Sequence, residues 1–327
     1  MESLTTFSQK NSGLLLLVDQ PRTFLCTTLF SAIAMMSFQY QAVAQEDDSN
    51  LSFSGSLGVG AEYDDNVSVS ELESATGESD TATNVDGALQ MDWQASDKLS
   101  ISTGYNLTSQ YYSEYDDFDM EIHMLYGDAS YDLPFMTIGA NHYFANARLG
   151  GDGFLDLNRS SIYAGKLFAE QWYLRGALNV TDKEFDVFSA RDAETTSASL
   201  DTFWFFNQGN SSLQFALEVA DEDALEEQFS YQANIVRIRV NHDFSLWGFQ
   251  NELSAGVRNE IRDYQAITPS IGQTRDDELL VSDLSWDMEL TDWLATTASL
   301  EHGNYSSRLP SADYRENRVS LGLELSF

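Results

Sequence analysis

The chain has 327 residues with 52 acids against 17 bases, a formal net charge of -35. So acidic a surface repels nucleic acid and anionic head groups and suits divalent cations or a salty medium. The single cysteine, Cys26, excludes a disulfide framework, and no run of 18 apolar residues follows the amino-terminal region to span a bilayer as a helix.

Residues 1–44 read as a signal peptide. Lys10 and Arg22 supply positive charge, Thr23 to Phe38 is apolar, and Ala42-Val43-Ala44 is a small-x-small cleavage site. Cys26 lies in this leader, so the mature chain from Gln45 has no thiol. The leader holds two acids and two bases, so the mature chain keeps the whole -35. Glu46-Asp47-Asp48 is expected to be a short periplasmic tail. Residues 45–327 then read as one domain, with no segment long enough for a folded plug.

Fourteen runs alternate apolar and polar residues with period 2, the pattern of a half-buried strand. In chain order they are Leu51 to Tyr63, Asn84 to Ala95, Lys98 to Tyr112, Met120 to Leu133, Met136 to Ala147, Ser160 to Ala169 and Trp172 to Thr181. Thr195 to Phe206, Ser211 to Ala220, Gln228 to Phe244, Phe249 to Tyr264, Glu278 to Leu290, Trp293 to Tyr305 and Asn317 to Phe327 complete the set. The run from Met120 is less regular, as a bulge would make it, and that from Gln228 changes register near Asn234. Short connections, such as Ser96-Asp97 and Thr291-Asp292, alternate with mostly longer polar ones: 64–83, 113–119, 148–159, 182–194, 221–227, 265–277 and 306–316.

Strict alternation of short and long connections predicts an all-β fold: a single transmembrane antiparallel up-and-down barrel of about 14 strands, with short periplasmic turns and long outer loops. Aromatics sort to the strand ends. Trp93, Phe135, Trp172, Phe206, Trp247, Phe249, Trp293 and Phe327 would form an inner belt. Tyr63, Tyr111, Tyr143, Tyr231, Tyr264 and Tyr305 would form an outer one.

Alternation also predicts which charges face the lumen. Arg237 and Arg239 share the tenth run's inward face, and Glu252, Arg258, Glu260 and Arg262 that of the eleventh. Asp283, Asp287 and Glu289 take the twelfth's. A basic row beside an acidic row either braces the wall by mutual neutralisation or sets a transverse field that selects solutes. A slip of one residue would reverse every face. Acid-rich loops, such as Glu71 to Asp80, read as a solvated rim, with loose divalent-cation binding as the alternative. His123, His142, His242 and His302 are scattered and share no metal-ligand spacing. The expectation is no catalytic residue, no metal site, no cofactor and no enzyme. His142 alone merits watching, because it lies near the outer end of its run.

Three stretches carry a resemblance. The closing run sets Val319, Leu321, Leu323, Leu325 and Phe327 against Ser320, Gly322, Glu324 and Ser326. It resembles the terminal signal by which outer-membrane barrels are recognised for insertion, with Phe327 as the assembly residue. Gly60-Ala61-Glu62-Tyr63-Asp64-Asp65-Asn66-Val67 and Asp313-Tyr314-Arg315-Glu316-Asn317-Arg318 flank the ends. Together they are similar to the putative β-barrel porins of proteobacteria and to the barrel portion of surface lipoprotein assembly modifiers. The resemblance implies the outer membrane of a Gram-negative bacterium, with lipid, lipopolysaccharide and the barrel assembly machinery as partners. It implies a porin-like channel for small solutes or ions, or else an export accessory for lipoprotein or polysaccharide; a barrel lipase or protease is a third reading. The Asp-Asp-Asn run itself requires only a strand-ending turn, in which Asx side chains bond their own backbone.

Overall fold

The computed structural model describes residues 50–327. The leader expected over 1–44 and the acidic residues 46–48 lie outside the described residues. Fourteen strands close into one antiparallel barrel in sequence order. They are β1 (Leu51–Asp64), β4 (Asp80–Ser96), β5 (Leu99–Tyr112), β6 (Met120–Asp132), β7 (Thr137–Leu149), β8 (Asp152–Phe168) and β9 (Trp172–Phe185). The second half is β10 (Ala193–Phe206), β11 (Ser211–Ala224), β12 (Tyr231–Leu246), β13 (Phe249–Tyr264), β14 (Asp276–Thr291), β15 (Leu294–Ser306) and β16 (Tyr314–Ser326). Two short strands, β2 (Ser68–Val69) and β3 (Ser74–Ala75), pair within the first loop.

Period 2 turns inside out here. On β1 the apolar set faces outward, with Phe53 71% and Leu57 58% exposed, while Glu62 and Asp64 are buried on the other face. Leu321, Leu178, Ile162 and Leu125 repeat the outward exposure around the wall. A water-soluble barrel would bury those side chains; this one surrounds itself with lipid. On the inner face small and large groups interlock. Tyr126, Tyr163 and Tyr173 each lie over a glycine of the neighbouring strand (Gly104, Gly139 and Gly165), where any Cβ would collide with the ring. The seam closes by nine register pairs between β1 and β16. Phe327 extends it by exchanging two backbone hydrogen bonds of 2.9 Å with Gly55, its ring over that glycine.

Several expectations are corrected. The connection at 148–159 is only Gly150 and Gly151, both at positive φ (57° and 84°), because β7 and β8 extend to meet in a tight hairpin. β12 pairs with β13 in unbroken register from Tyr231 to Leu246. The apparent shift near Asn234 arises because the inward residues Tyr231, Ala233 and Ile235 are themselves apolar, whereas Arg237 and Arg239 continue the same face. β6 carries no bulge; register shifts fall between Gln94 and Ser96, Ala147 and Arg148, and Glu289 and Thr291. Trp93, Phe135, Trp172, Trp247, Trp293 and Phe327 stand exposed on the inner rim, and Trp204 joins them by stacking on Trp172 at 5.4 Å. Of the six outer tyrosines only Tyr63 and Tyr111 face outward. Tyr143, Tyr231, Tyr264 and Tyr305 are 6–7% exposed, because parity puts them on the lumen face, and they line its outer half.

Candidate functional site: the lumen and its first loop

The first loop folds into the mouth. The 15 residues between β1 and β4 turn inward at the mouth as a loop, not as a separate folded plug. Asp64 starts the turn by accepting the Asn66 amide at 2.9 Å, an Asx turn as the sequence implied. Val67 then bonds the Glu78 carbonyl at 3.0 Å, and β2 and β3 pair. The loop is held on one side by apolar burial. Val69 is 4% exposed against Met124, Tyr143, Phe154 and Leu157 of the β6–β8 wall, and Leu72 packs beside it. Val67 is fully buried with Ala82 and Tyr112.

On the other side one carboxylate fastens it. Glu73 is 7% exposed and holds φ at 54°, a left-handed conformation unusual for a side-chain-bearing residue. Its Oε2 meets Arg191 Nη2 at 2.9 Å. Its Oε1 accepts from the Tyr264 hydroxyl at 2.9 Å and pairs with Arg275, which is 1% exposed. Arg275 stacks on Tyr264 at 3.9 Å and Arg191 on Phe229 at 4.2 Å. Burial pushes the Glu73 carboxyl up, but the two guanidiniums outweigh it and hold it down at about 2. A cavity of about 60 Å³ remains beneath, lined by Lys183, Phe185, Tyr231, Arg262 and Tyr264 among others. It has room for a few waters.

The two terminal stretches singled out in the sequence meet here. Asp65 accepts from the Asn317 amide and side chain at 2.6 Å each. Asn66 donates to the Arg315 carbonyl at 2.7 Å, and Ser68 to Glu316 at 3.1 Å. Arg318 lies below as a hub, with Asp64 at 3.3 Å, Glu301 at 3.5 Å, Glu316 at 2.5 Å and Glu62 at 4.0 Å. Asp64 also accepts from the Tyr112 hydroxyl, and Glu62 from Asn84 and Gln110.

The nine charges inferred from alternation fall on inward positions of three adjacent strands. They do not act alike. Arg239 reaches Asp283 at 2.9 Å across Gly256, where a Cβ would strike both. Glu260, 2% exposed, pairs with Arg258 and with Arg262 at 2.5 Å. Arg237 pairs with Glu218 at 3.0 Å, a carboxylate that also meets Arg159 at 3.6 Å. Glu252 accepts from Ser254 and Asp287 from Thr297, closer to the short turns, and Glu289 lies at the inner lip. The middle of the wall is therefore neutralised and the lower part is acidic.

Parity turns all four histidines outward. His142 bonds Ser160 at 2.9 Å on the outer face. His123 bonds Tyr105 at 2.6 Å and Glu121 at 3.0 Å. Among the described residues no three His, Cys, Asp or Glu are placed to hold a metal ion. Alternation could not find Glu73, Arg191 or Arg275, because all three sit off the strands. One signal was present: Val67, Val69 and Leu72 are apolar residues in a loop otherwise built to be solvated.

A closed barrel with an apolar outer band, aromatic inner rim and charged interior defines an outer-membrane β-barrel. Solved structures of outer-membrane barrels share the fold. The chain is similar to OmpT of Vibrio cholerae, an outer membrane protein (TM-score 0.51, 9% identity, 88% of this chain and 100% of that one), and to its loop L8 deletion mutant (TM-score 0.52, 10% identity, 86% and 100%). An anion-selective porin from Comamonas acidovorans aligns at TM-score 0.47 with 10% identity over 86% of this chain and 100% of that one. No family model matches the chain, and no curated protein does.

Proposed function

We propose that this protein is an outer-membrane channel for small solutes or ions, narrowed at its outer mouth by the first loop. The observation that carries this reading is the interior itself. Eight-stranded barrels fill their lumen with side chains and sixteen-stranded porins leave it open, so a 14-stranded wall lies between. Here most of the wall is lined with carboxylates and guanidiniums; apolar packing gathers at the level of the first loop, with a further aromatic patch of Tyr173, Phe203 and Phe205 toward the short turns.

Planar-bilayer recording tests the reading, with intact protein beside a variant whose loop (66–78) is replaced by a tight turn. Discrete current steps are expected, small for the intact protein and larger for the variant. Silence from both, in protein that is folded by its heat-dependent gel mobility, counts against a channel.

A further inference from the structure

The inward charges are sorted by strand and by depth, not merely numerous. Among the described residues the inward bases Arg159, Arg175, Lys183, Arg237, Arg239, Arg258 and Arg262 all lie on β8–β13. The opposite wall, β14–β16 with β1 and β4, has Arg318 alone, surrounded by four carboxylates. Depth sharpens the contrast. Nearest the short turns the lumen holds Asp92, Asp128, Asp201, Asp243, Glu252 and Asp287, with Arg175 as its base. Glu324 adds to this floor, on an inward position of β16 beside Gly58 of β1.

Charge count stands whatever the individual pairings, because the chain has few bases left to spend elsewhere. Lys98 is in an inner turn, Arg148, Lys166 and Arg315 are on outward-facing positions, Arg191 and Arg275 are paired with Glu73, and Arg308 is paired with Asp276. A second, separate feature points the same way. On the β14–β4 wall, Asn84 is 4% exposed and turns its Oδ1 inward without a hydrogen-bond donor, as do Asp86 Oδ2, Asp283 Oδ2 and Glu301 Oε2. These are buried acceptors in excess of the donors that reach them.

Resting on the channel reading above, we infer that the lumen selects small cations, inorganic or organic, and that the acid wall from β14 to β4 sets this preference. A cation meets low-dielectric walls that focus a negative potential, while an anion meets the same field as a barrier. Nearest the short turns acids outnumber bases, whereas from mid-wall outward the two are interleaved, so the channel also rectifies, passing cation current more readily in one direction.

Reversal potential in a potassium chloride gradient tests this. The expected potassium-to-chloride permeability ratio is at least about fivefold at low salt. It falls as screening shortens from about 10 Å at 0.1 M to about 3 Å at 1 M. Asp86→Asn with Glu324→Gln neutralises two acids of the wall and is expected to lower the ratio by about half or more. The single variants serve if the pair does not fold, and the intact protein alone already reports the sign. Current with chloride preference, or a ratio unchanged by the substitutions, overturns the selectivity and leaves the channel standing. No current from intact or loop-shortened protein overturns both.

Discussion

Glu73 concentrates at one position what the first loop needs. A left-handed backbone, deep burial and two guanidinium partners coincide there. Removing its charge leaves buried Arg275 with Asp277, at 3.5 Å, as its remaining carboxylate, at a cost of up to about 3–5 kcal/mol to the inward-folded loop. Glu73→Gln is therefore expected to raise single-channel current and to speed amide exchange over 66–78. Glu73→Gly relieves the backbone but also loses the charge, so it should open as well; if it stays shut, the backbone turn rather than the ion pair is the fastening. Acid should do the same. Because the folded carboxyl sits at about 2 rather than 4.5, its stabilisation is complete above 4.5 and is lost as pH falls toward 2. The shift corresponds to on the order of 3 kcal/mol. Current recorded while the loop side is acidified should rise only within that window. Gly256 is a second point of sensitivity. Gly256→Ala would drive a methyl between Arg239 and Asp283, with a stability loss of about 1–3 kcal/mol seen as a lower urea midpoint. The inward placement of Arg239 and Asp283 was legible from alternation. Glu73 was not, since its partners Arg191 and Arg275 lie 118 and 202 residues away on other loops.

Strands were the most legible elements, because lipid outside and water inside impose period 2 on each of them. Legibility failed where the backbone leaves that pattern. Gly150-Gly151 shortened an apparent loop to a hairpin, and where the lumen face itself is apolar, at Tyr231, Ala233 and Ile235, the alternation mimicked a register change. The tyrosine belt departs from expectation for a related reason: position at a strand's outer end does not fix which face a ring takes, and parity turns Tyr231 and Tyr264 inward to pack at 5.2 Å. At this scale β1 offers a test. Gly55 accommodates the Phe327 ring, and a Cβ there would sit 2.8 Å from ring atoms. Gly55→Val should reduce the fraction of heat-modifiable, folded barrel in the membrane, with Phe327→Ala partly restoring it. An unaltered folded fraction in Gly55→Val would show that the ring is dispensable to closure.

As a whole, the molecule joins two constructions at one place. β1 and β16 complete the wall, and the residues just beyond that junction (Asp65, Asn66 and Ser68 with Arg315, Glu316 and Asn317) tether the loop that narrows the mouth. Arg318 stands directly beneath, opposite Asp64 in the register. Folding therefore carries its own safeguard. A half-zipped cylinder lacks the tethers that seat its stopper, so narrowing arrives only with completion, and premature or incomplete copies would leak. Arg318→Gln should accordingly yield fewer finished barrels and, among survivors, noisier and wider ones, with both defects scaling together across milder substitutions at that junction.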